Sequence, residues 1–383
     1  MRIAINTRFL LPQYLEGLGN FTLEVSRRLV EQHPEHDFLF CFDRPYDPQF
    51  VFGERTTAKI IFPPARHPWL WQAWFEYALP QVLRSWQADI FFSPDSYCSV
   101  RSKVPTVMVT HDLAFLHYPD QVPAHARRYY TKWTPRFIER AERVVTVSEF
   151  VCQDIIDNYG TDPAKISVAC NGVRSIFRPL DATTIQEVRN KYSQGQAYFF
   201  YLGSVHPRKN LARLIKAYDQ FRATNPSPTP LLLGGRLAWQ LDEVQQAHQA
   251  SPFTKDIHFL GYISNEEATR LLAASLALVY PSLSEGFGVP VLEAMQAEVP
   301  VITSNTTSLP EVAGDAALLV DPKSTEALAT AMNQLAQQPK LREELIAKGQ
   351  KQRSRFSWDL AAQVIWKAIE DLHRSKITAT EGS

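Results

Sequence analysis

Short apolar runs rich in β-branched and aromatic residues alternate along this chain with longer stretches of helical period. Eleven runs read as strands: Arg2–Asn6, Asp37–Phe42, Ile90–Ser93, Thr106–Thr110, Arg143–Val147, Ile166–Ala169, Tyr198–Leu202, Pro230–Gly234, Ile257–Leu260, Ala277–Tyr280 and Val299–Thr303. Most are continuously apolar rather than alternating, as expected for parallel strands covered on both faces. Parallel strands need crossovers, and the intervening helical stretches supply them. The pattern predicts an α/β protein with too many strands for one doubly wound sheet.

The best break is Asn171–Ala182, NGVRSIFRPLDA, which follows a strand and carries Gly172 and Pro179. We therefore expect a first domain over 1–175, a second over 176–355, and a C-terminal segment, 356–383. Within that segment SWDLAAQVIWKAIEDL is amphipathic and helical, placed to pack on its own domain or bridge to the first, while TATEGS is expected to fray.

Composition narrows the function. The 383 residues are 45% hydrophobic, and Lys plus Arg balance Asp plus Glu at 40 each. A general nucleic-acid binder would need a basic excess, so that class is disfavoured. The four cysteines form no C-x-x-C pair and read as free thiols in a reduced compartment. The start, MRIAINTRFLLPQYLEGLGN, reads as a strand entering a loop rather than a signal peptide. No run approaches the ~20 apolar residues of a membrane span, so a cytoplasmic location is expected.

Candidate chemistry concentrates in SEGFGVPVLEAMQ, Ser284–Gln296. Glu285 would lie in the loop after strand Ala277–Tyr280, and Glu293 one turn into the next helix, whose start suits Pro290. Ligands of open α/β sheets bind at that strand edge. The N–H groups of Gly288 and Val289 there form a natural phosphate site. Carboxylates beside a phosphate would repel it, so Glu285 and Glu293 should address neutral hydroxyls, such as those of sugar and ribose. A plainer reading stays open, with Glu293 complementing the helix dipole and Glu285 simply solvated. After strand Tyr198–Leu202, GSVHPRKNLARLIKAY puts Arg208 and Lys209 at the same edge, where they could neutralise a leaving diphosphate. An ordinary solvated Arg-Lys pair is the alternative.

These motifs carry a resemblance. The Glu-x7-Glu spacing, the P-R-K-N stretch, SLPEVAGDAALLVDP (Ser308–Pro322), EGLGNFT (Glu16–Thr22), THDLAFLHYPD (Thr110–Asp120) and VTVSEF (Val145–Phe150) resemble the family 4 retaining glycosyltransferases, most of all the mannosyltransferases of bacterial polysaccharide assembly. The resemblance implies the GT-B fold, two Rossmann-like domains facing across a cleft, with acceptor bound by the first and nucleotide sugar by the second. It implies that Glu285 holds donor-sugar hydroxyls and Glu293 the ribose. Lys209 and Arg208 would hold the diphosphate, with Gly286, Phe287, Gly288 and Val289 closing over sugar and phosphate. Gly19 would let its loop approach the diphosphate, and His111 would stand beside the reacting carbon. Asp112 and Tyr118 would lie on the acceptor side, with Asp112 shaping the loop. Ser204 stands where many relatives carry an arginine, which makes Lys209 the safer assignment than Arg208.

The implied reaction is transfer of a sugar, best matched by mannose from GDP-mannose, to a hydroxyl of a glycan or lipid-linked glycan. The nucleobase would be read near Gly261-Tyr262-Ile263. No Asp-x-Asp occurs, so no cofactor or divalent metal is expected. The rivals are a non-transferring GT-B relative, such as a sugar-nucleotide epimerase, and a non-enzymatic two-domain sugar-binding protein.

A last feature stands outside these motifs. In Ala124–Arg143 the cations Arg128, Lys132, Arg136 and Arg140 are spaced by four, beside Tyr129, Trp133 and Phe137. On one helix they form a slowly drifting basic stripe, unless Pro135 interrupts it. The stripe is either a solvated face over an aromatic core or a loose contact with anionic lipid at the inner membrane.

Overall fold

The computed structural model describes residues 1–11, 15, 17–225, 227–236 and 242–381, with side chains of the last helix described as far as Lys376. It divides into two compact units, Met1–Gly172 with Ser357–Ser383, and Val173–Phe356.

The first unit holds β1 (Arg2–Asn6), β2 (Asp37–Phe42), β3 (Thr56–Ile60), β4 (Ile90–Ser93), β5 (Thr106–Thr110), β6 (Arg143–Thr146) and β7 (Ile166–Val168). Their order is β3-β2-β1-β4-β5-β6-β7, and every pairing is parallel. The second unit holds β8 (Phe199–Leu202), β9 (Leu231–Gly234), β10 (Ile257–Gly261), β11 (Ala277–Tyr280), β12 (Val301–Ser304) and β13 (Ala317–Val320). These too are all parallel, in the order β10-β9-β8-β11-β12-β13. The continuous apolar runs are explained by burial: Ile3, Ala4 and Ile5 in one sheet, and Phe199, Phe200 and Tyr201 in the other, are all 0% exposed. Each of the isoleucines and phenylalanines among them contributes on the order of 1.5–3 kcal/mol when buried.

Two strands, β3 and β13, have no counterpart among the eleven expected. Both lie at sheet edges, where one flank is unpaired and the buried run breaks up. In β3, TTAKI, the residues are half-buried or exposed throughout. In each sheet the chain order reverses next to the first strand, between β1 and β4 and between β8 and β11. Such switch points leave a crevice at the carboxyl ends of the strands, where ligands of these sheets bind.

The helix Ala124–Arg140 runs through Pro135 without a break. The last helix, Trp358–Glu381, belongs to the first unit, where Trp358 meets Phe21 edge-on at 5.9 Å. No helix among the described residues is long and apolar enough to cross a membrane.

Candidate active site

At the β8–β11 switch point two loops are stitched together. After β8 the chain makes a short 3-10 turn, Pro207–Lys209, closed by Asn210 at φ 64°. After β11 comes Pro281–Gly288. The Arg208 carbonyl accepts the Leu283 N–H at 2.8 Å and the Ser282 hydroxyl at 3.1 Å. Asn210 donates to the carbonyls of Pro281 at 3.1 Å and Pro322 at 2.7 Å. These bonds hold the Arg208 and Lys209 side chains over Glu285.

Glu285 is the hub. Its Oε1 accepts from Lys209 Nζ at 2.5 Å and from the Tyr280 hydroxyl at 2.9 Å, and its Oε2 from Arg208 Nη1 at 3.3 Å. Lys209 also donates to Tyr280 Oη at 2.7 Å, and Arg208 to the Ser284 carbonyl at 2.5 Å. Burial alone would push the Glu285 carboxyl up, but the ammonium of Lys209 and the guanidinium of Arg208 outweigh it and hold it at about 2. Burial and the Glu285 charge drive the Tyr280 hydroxyl well above its ordinary range, so it stays a neutral donor. Two cations, Lys209 and Arg208, thus converge on one carboxylate.

The segment after β12 pins the same loop from behind. Ser304 donates to the Ser282 carbonyl at 2.7 Å, and Thr307 Oγ1 accepts the Glu285 N–H at 3.1 Å. The Ser308 hydroxyl lies 2.9 Å from the carbonyls of both Glu285 and Phe287. Phe287 is 3% exposed and meets Phe356 edge-on at 5.7 Å. Gly288 caps the helix Val289–Gln296 at φ 105°, a left-handed conformation, and a Cβ there would fall 2.6 Å from Leu309. Only glycine fits that turn. Gly286 follows Glu285 within the same buried loop.

Glu293 faces a different neighbourhood. It is 4% exposed, and its Oε1 accepts from Arg174 Nη2 at 2.8 Å. Burial pushes its carboxyl above the ordinary value, and Arg174 offsets only part of that. The sequence pattern does not single out Arg174, which lies in the Asn171–Ala182 break, nor Tyr280 and Ser308, which bond to Glu285. Tyr280 ends a recognised strand, a position that could have flagged it.

In the first unit His111 follows β5. Its Nε2–H donates to the Pro94 carbonyl at 2.7 Å, its N–H to the Ser96 hydroxyl at 3.3 Å, and the Phe21 ring meets it edge-on at 4.8 Å. Burial lowers the imidazole below its ordinary value. A neutral ring with a proton on Nε2 keeps Nδ1 as an acceptor. Asp112 accepts the Ala114 N–H at 3.1 Å, the turn-shaping bond expected of it. Tyr118 is half-buried at the end of helix Ala114–His117. Gly19 is buried in the first turn of helix Gly17–Gln32, where a Cβ would stand 2.7 Å from the Phe9 carbonyl oxygen. It permits a close backbone approach, but inside a helix rather than a loop; Glu16 of the same motif lies outside the described residues.

The basic stripe is partly corrected. Arg128, Lys132 and Arg136 are exposed, whereas Arg140 turns inward, donating to the carbonyls of Ser102 and Val104 and to Glu142. The Val104 carbonyl also accepts from the Thr106 hydroxyl at 3.1 Å, so Arg140 joins a structural network rather than the exposed face. Tyr129, Trp133 and Phe137 are buried, so the aromatic side of the helix is core.

Comparison with known proteins now decides the family. Residues 183–352 match the model described as "Glycosyl transferases group 1", and residues 15–175 match "Glycosyltransferase Family 4". The chain is 34% identical over 357 residues to O-antigen chain mannosyltransferase B of Escherichia coli, covering 90% of this chain and 93% of that protein. The chain belongs to the family 4 glycosyltransferases. It is also 27% identical to O-antigen chain mannosyltransferase RfbU of Salmonella typhimurium, over 76% of each chain. Among solved structures, Anabaena Alr3699/HepE in complex with UDP-glucose matches with a TM-score of 0.74 at 17% identity, covering 97% of this chain and 100% of that one. The fold is GT-B. These relatives support a glycosyltransferase of polysaccharide synthesis and do not favour the rivals considered, an epimerase or a non-enzymatic sugar binder.

Proposed function

We propose that this glycosyltransferase moves mannose from GDP-mannose to a hydroxyl of a glycan or lipid-linked glycan, with retention and without a divalent metal. The names of its relatives favour mannose and a polysaccharide acceptor. The observation that carries the donor assignment is the convergence of two cations, Lys209 and Arg208, at the β8–β11 switch point, where ligands of such sheets bind. A diphosphate is attracted to those cations, while the neutral Arg174–Glu293 pair suits an uncharged ribose diol. Glu285, held ionised, accepts hydrogen bonds from donor-sugar hydroxyls.

In the reaction the sugar C1–O bond to the diphosphate breaks and a bond from the acceptor oxygen to C1 forms on the same face. The acceptor proton passes to the departing phosphate oxygen, so no covalent enzyme intermediate is needed. Lys209 and Arg208 stabilise the charge that builds on the diphosphate, the role a metal ion plays elsewhere. His111, neutral and with Nδ1 as an acceptor, receives a hydroxyl hydrogen bond near the reacting carbon.

The test is incubation of GDP-mannose with a mannose-terminated acceptor, reading GDP release and the anomeric configuration of the product by NMR. Retained configuration and activity in EDTA are expected. An inverted product, or activity lost to EDTA and restored by Mg²⁺, overturns the mechanism; turnover only of UDP- or ADP-sugars overturns the donor. His111→Ala should lower kcat more than donor affinity, and the reverse pattern would make His111 a binding residue.

The exposed face of helix Ala124–Arg140 supports loose contact with anionic lipid. Beside it the helix Pro68–Ala73 packs through Trp71, 5.1 Å from Tyr129, and leaves Trp69 69% exposed. Three near-surface cations contribute roughly 1 kcal/mol each, and Trp favours the lipid interface. Flotation with phosphatidylserine vesicles at ~50 mM salt should retain the enzyme, within a Debye length only weakly screened. Retention equal in an Arg128, Lys132 and Arg136 to Glu triple variant would refute the contact.

A further inference from the structure

Glu293 and Asn265 lie on separate elements of the second unit, and one guanidinium reaches both. Arg174 Nη2 donates to Glu293 Oε1 at 2.8 Å and Nη1 to Asn265 Oδ1 at 3.0 Å. The guanidinium itself is planted, lying over the buried Phe177 ring at 5.0 Å, and the Phe177 N–H bonds back to the Arg174 carbonyl at 3.2 Å. Asn265 opens helix Asn265–Ala274, whose start is locked by a capping box between Ser264 and Glu267. That helix follows directly on Gly261-Tyr262-Ile263 at the end of β10, where Tyr262 is 63% exposed.

We infer that Arg174 is a positioning residue of the donor site, clamping the ribose carboxylate Glu293 to the loop that meets the nucleobase. The inference rests on the donor reading given above. Its physical basis is the planar fork of arginine, which fixes two acceptors in one plane; a lysine carries the charge but not the fork. A single bond occupies Oε1 of Glu293 and orients Oε2 for the ribose hydroxyls. Without Arg174, the buried carboxylate would have no cation to keep it ionised, and a neutral acid accepts hydrogen bonds from a diol poorly. The clamp thus sets selectivity for ribose over deoxyribose, a property distinct from overall affinity.

The test compares the dissociation constants of GDP, UDP and ADP with those of their 2′-deoxy counterparts by calorimetry, taking the tightest-binding pair. In the wild type, loss of the 2′-hydroxyl should weaken binding about 10–100-fold, the worth of a charge-assisted hydrogen bond. Glu293→Gln should abolish most of that ratio. Arg174→Gln should also reduce it, to within about 3-fold, with Arg174→Lys and Asn265→Ala intermediate. A purely structural arginine would weaken both nucleotides equally and leave the ratio at its wild-type value. If Glu293→Gln collapses the ratio but Arg174→Gln and Arg174→Lys do not, the clamp is wrong and the donor reading stands. If the wild type binds none of the three nucleotides, or Glu293→Gln leaves the ratio intact, the donor reading fails and this inference with it. Should Arg174→Gln not fold, Arg174→Lys and Asn265→Ala decide: wild-type ratios in both overturn the clamp.

Discussion

Glu285 and Glu293 belong to one thirteen-residue motif and are 7% and 4% exposed, yet they titrate in opposite directions. Glu285 is held at about 2 and Glu293 is raised. Burial pushes both upward, and what differs is the company each keeps. Glu285 has two cations and a tyrosine hydroxyl, while Glu293 has one arginine that it shares with Asn265. A buried carboxylate therefore says little by itself. The number of cations within reach decides whether it works as a fixed charge or as half of a neutral pair.

The comparison can be broken most severely at Lys209. Lys209→Ala removes one of the two cations over Glu285, and transfer should fall roughly 10²–10³-fold, as for loss of one charge-stabilising donor. Nucleotide release by folded protein is the readout, and more than half of wild-type activity would refute the assignment.

Next in size is stability. Glu285→Gln removes the buried carboxylate that both cations meet and should cost about 3–5 kcal/mol at pH 7, read from urea unfolding. The Glu285 carboxyl is depressed, so its stabilisation is present above the ordinary value of 4.5 and is lost as pH falls toward about 2. The wild-type advantage over Glu285→Gln should shrink across that window. Glu293 is raised, so the sign reverses: the wild type loses ground to Glu293→Gln as pH rises above 4.5. Parallel slopes for the two variants would erase the distinction.

The smallest effect is expected at Tyr280. Its hydroxyl bridges Lys209 and Glu285, and Tyr280→Phe removes one bond to a charged partner, worth about 1.5–3 kcal/mol. Unfolding should register that loss. An unchanged midpoint would reduce Tyr280 to a ring stacked on Tyr201.

Much of the fold was legible because the interior strands of a parallel sheet are buried on both faces and need no partner to reveal themselves. Arg2–Asn6, Asp37–Phe42 and Ala277–Tyr280 appear residue for residue as expected. The edge strands were legible unevenly: β7 and β10 were expected, whereas β3 and β13, half-buried or exposed along most of their length, were missed. Glu285, Lys209 and Arg208 were legible as strand-end residues carrying a motif. Their mutual bonding was not, and the expectation that Glu285 addresses only neutral groups overlooked that it neutralises its own cations.

By itself the sequence determined the alternation of strand and helix, the left-handed turn that needs Gly288, and the chemistry available at each strand end. These are local matters, decided by side-chain sterics and burial period within a few residues. Which chemistries meet was decided by the tertiary structure alone. Lys209 reaches Glu285 across 76 positions, and Arg174 reaches Glu293 across 119. The first meeting follows from β8 lying beside β11. Parallel crossovers gather strand ends at one edge whatever the distance along the chain, so no local pattern records which cation will face which carboxylate.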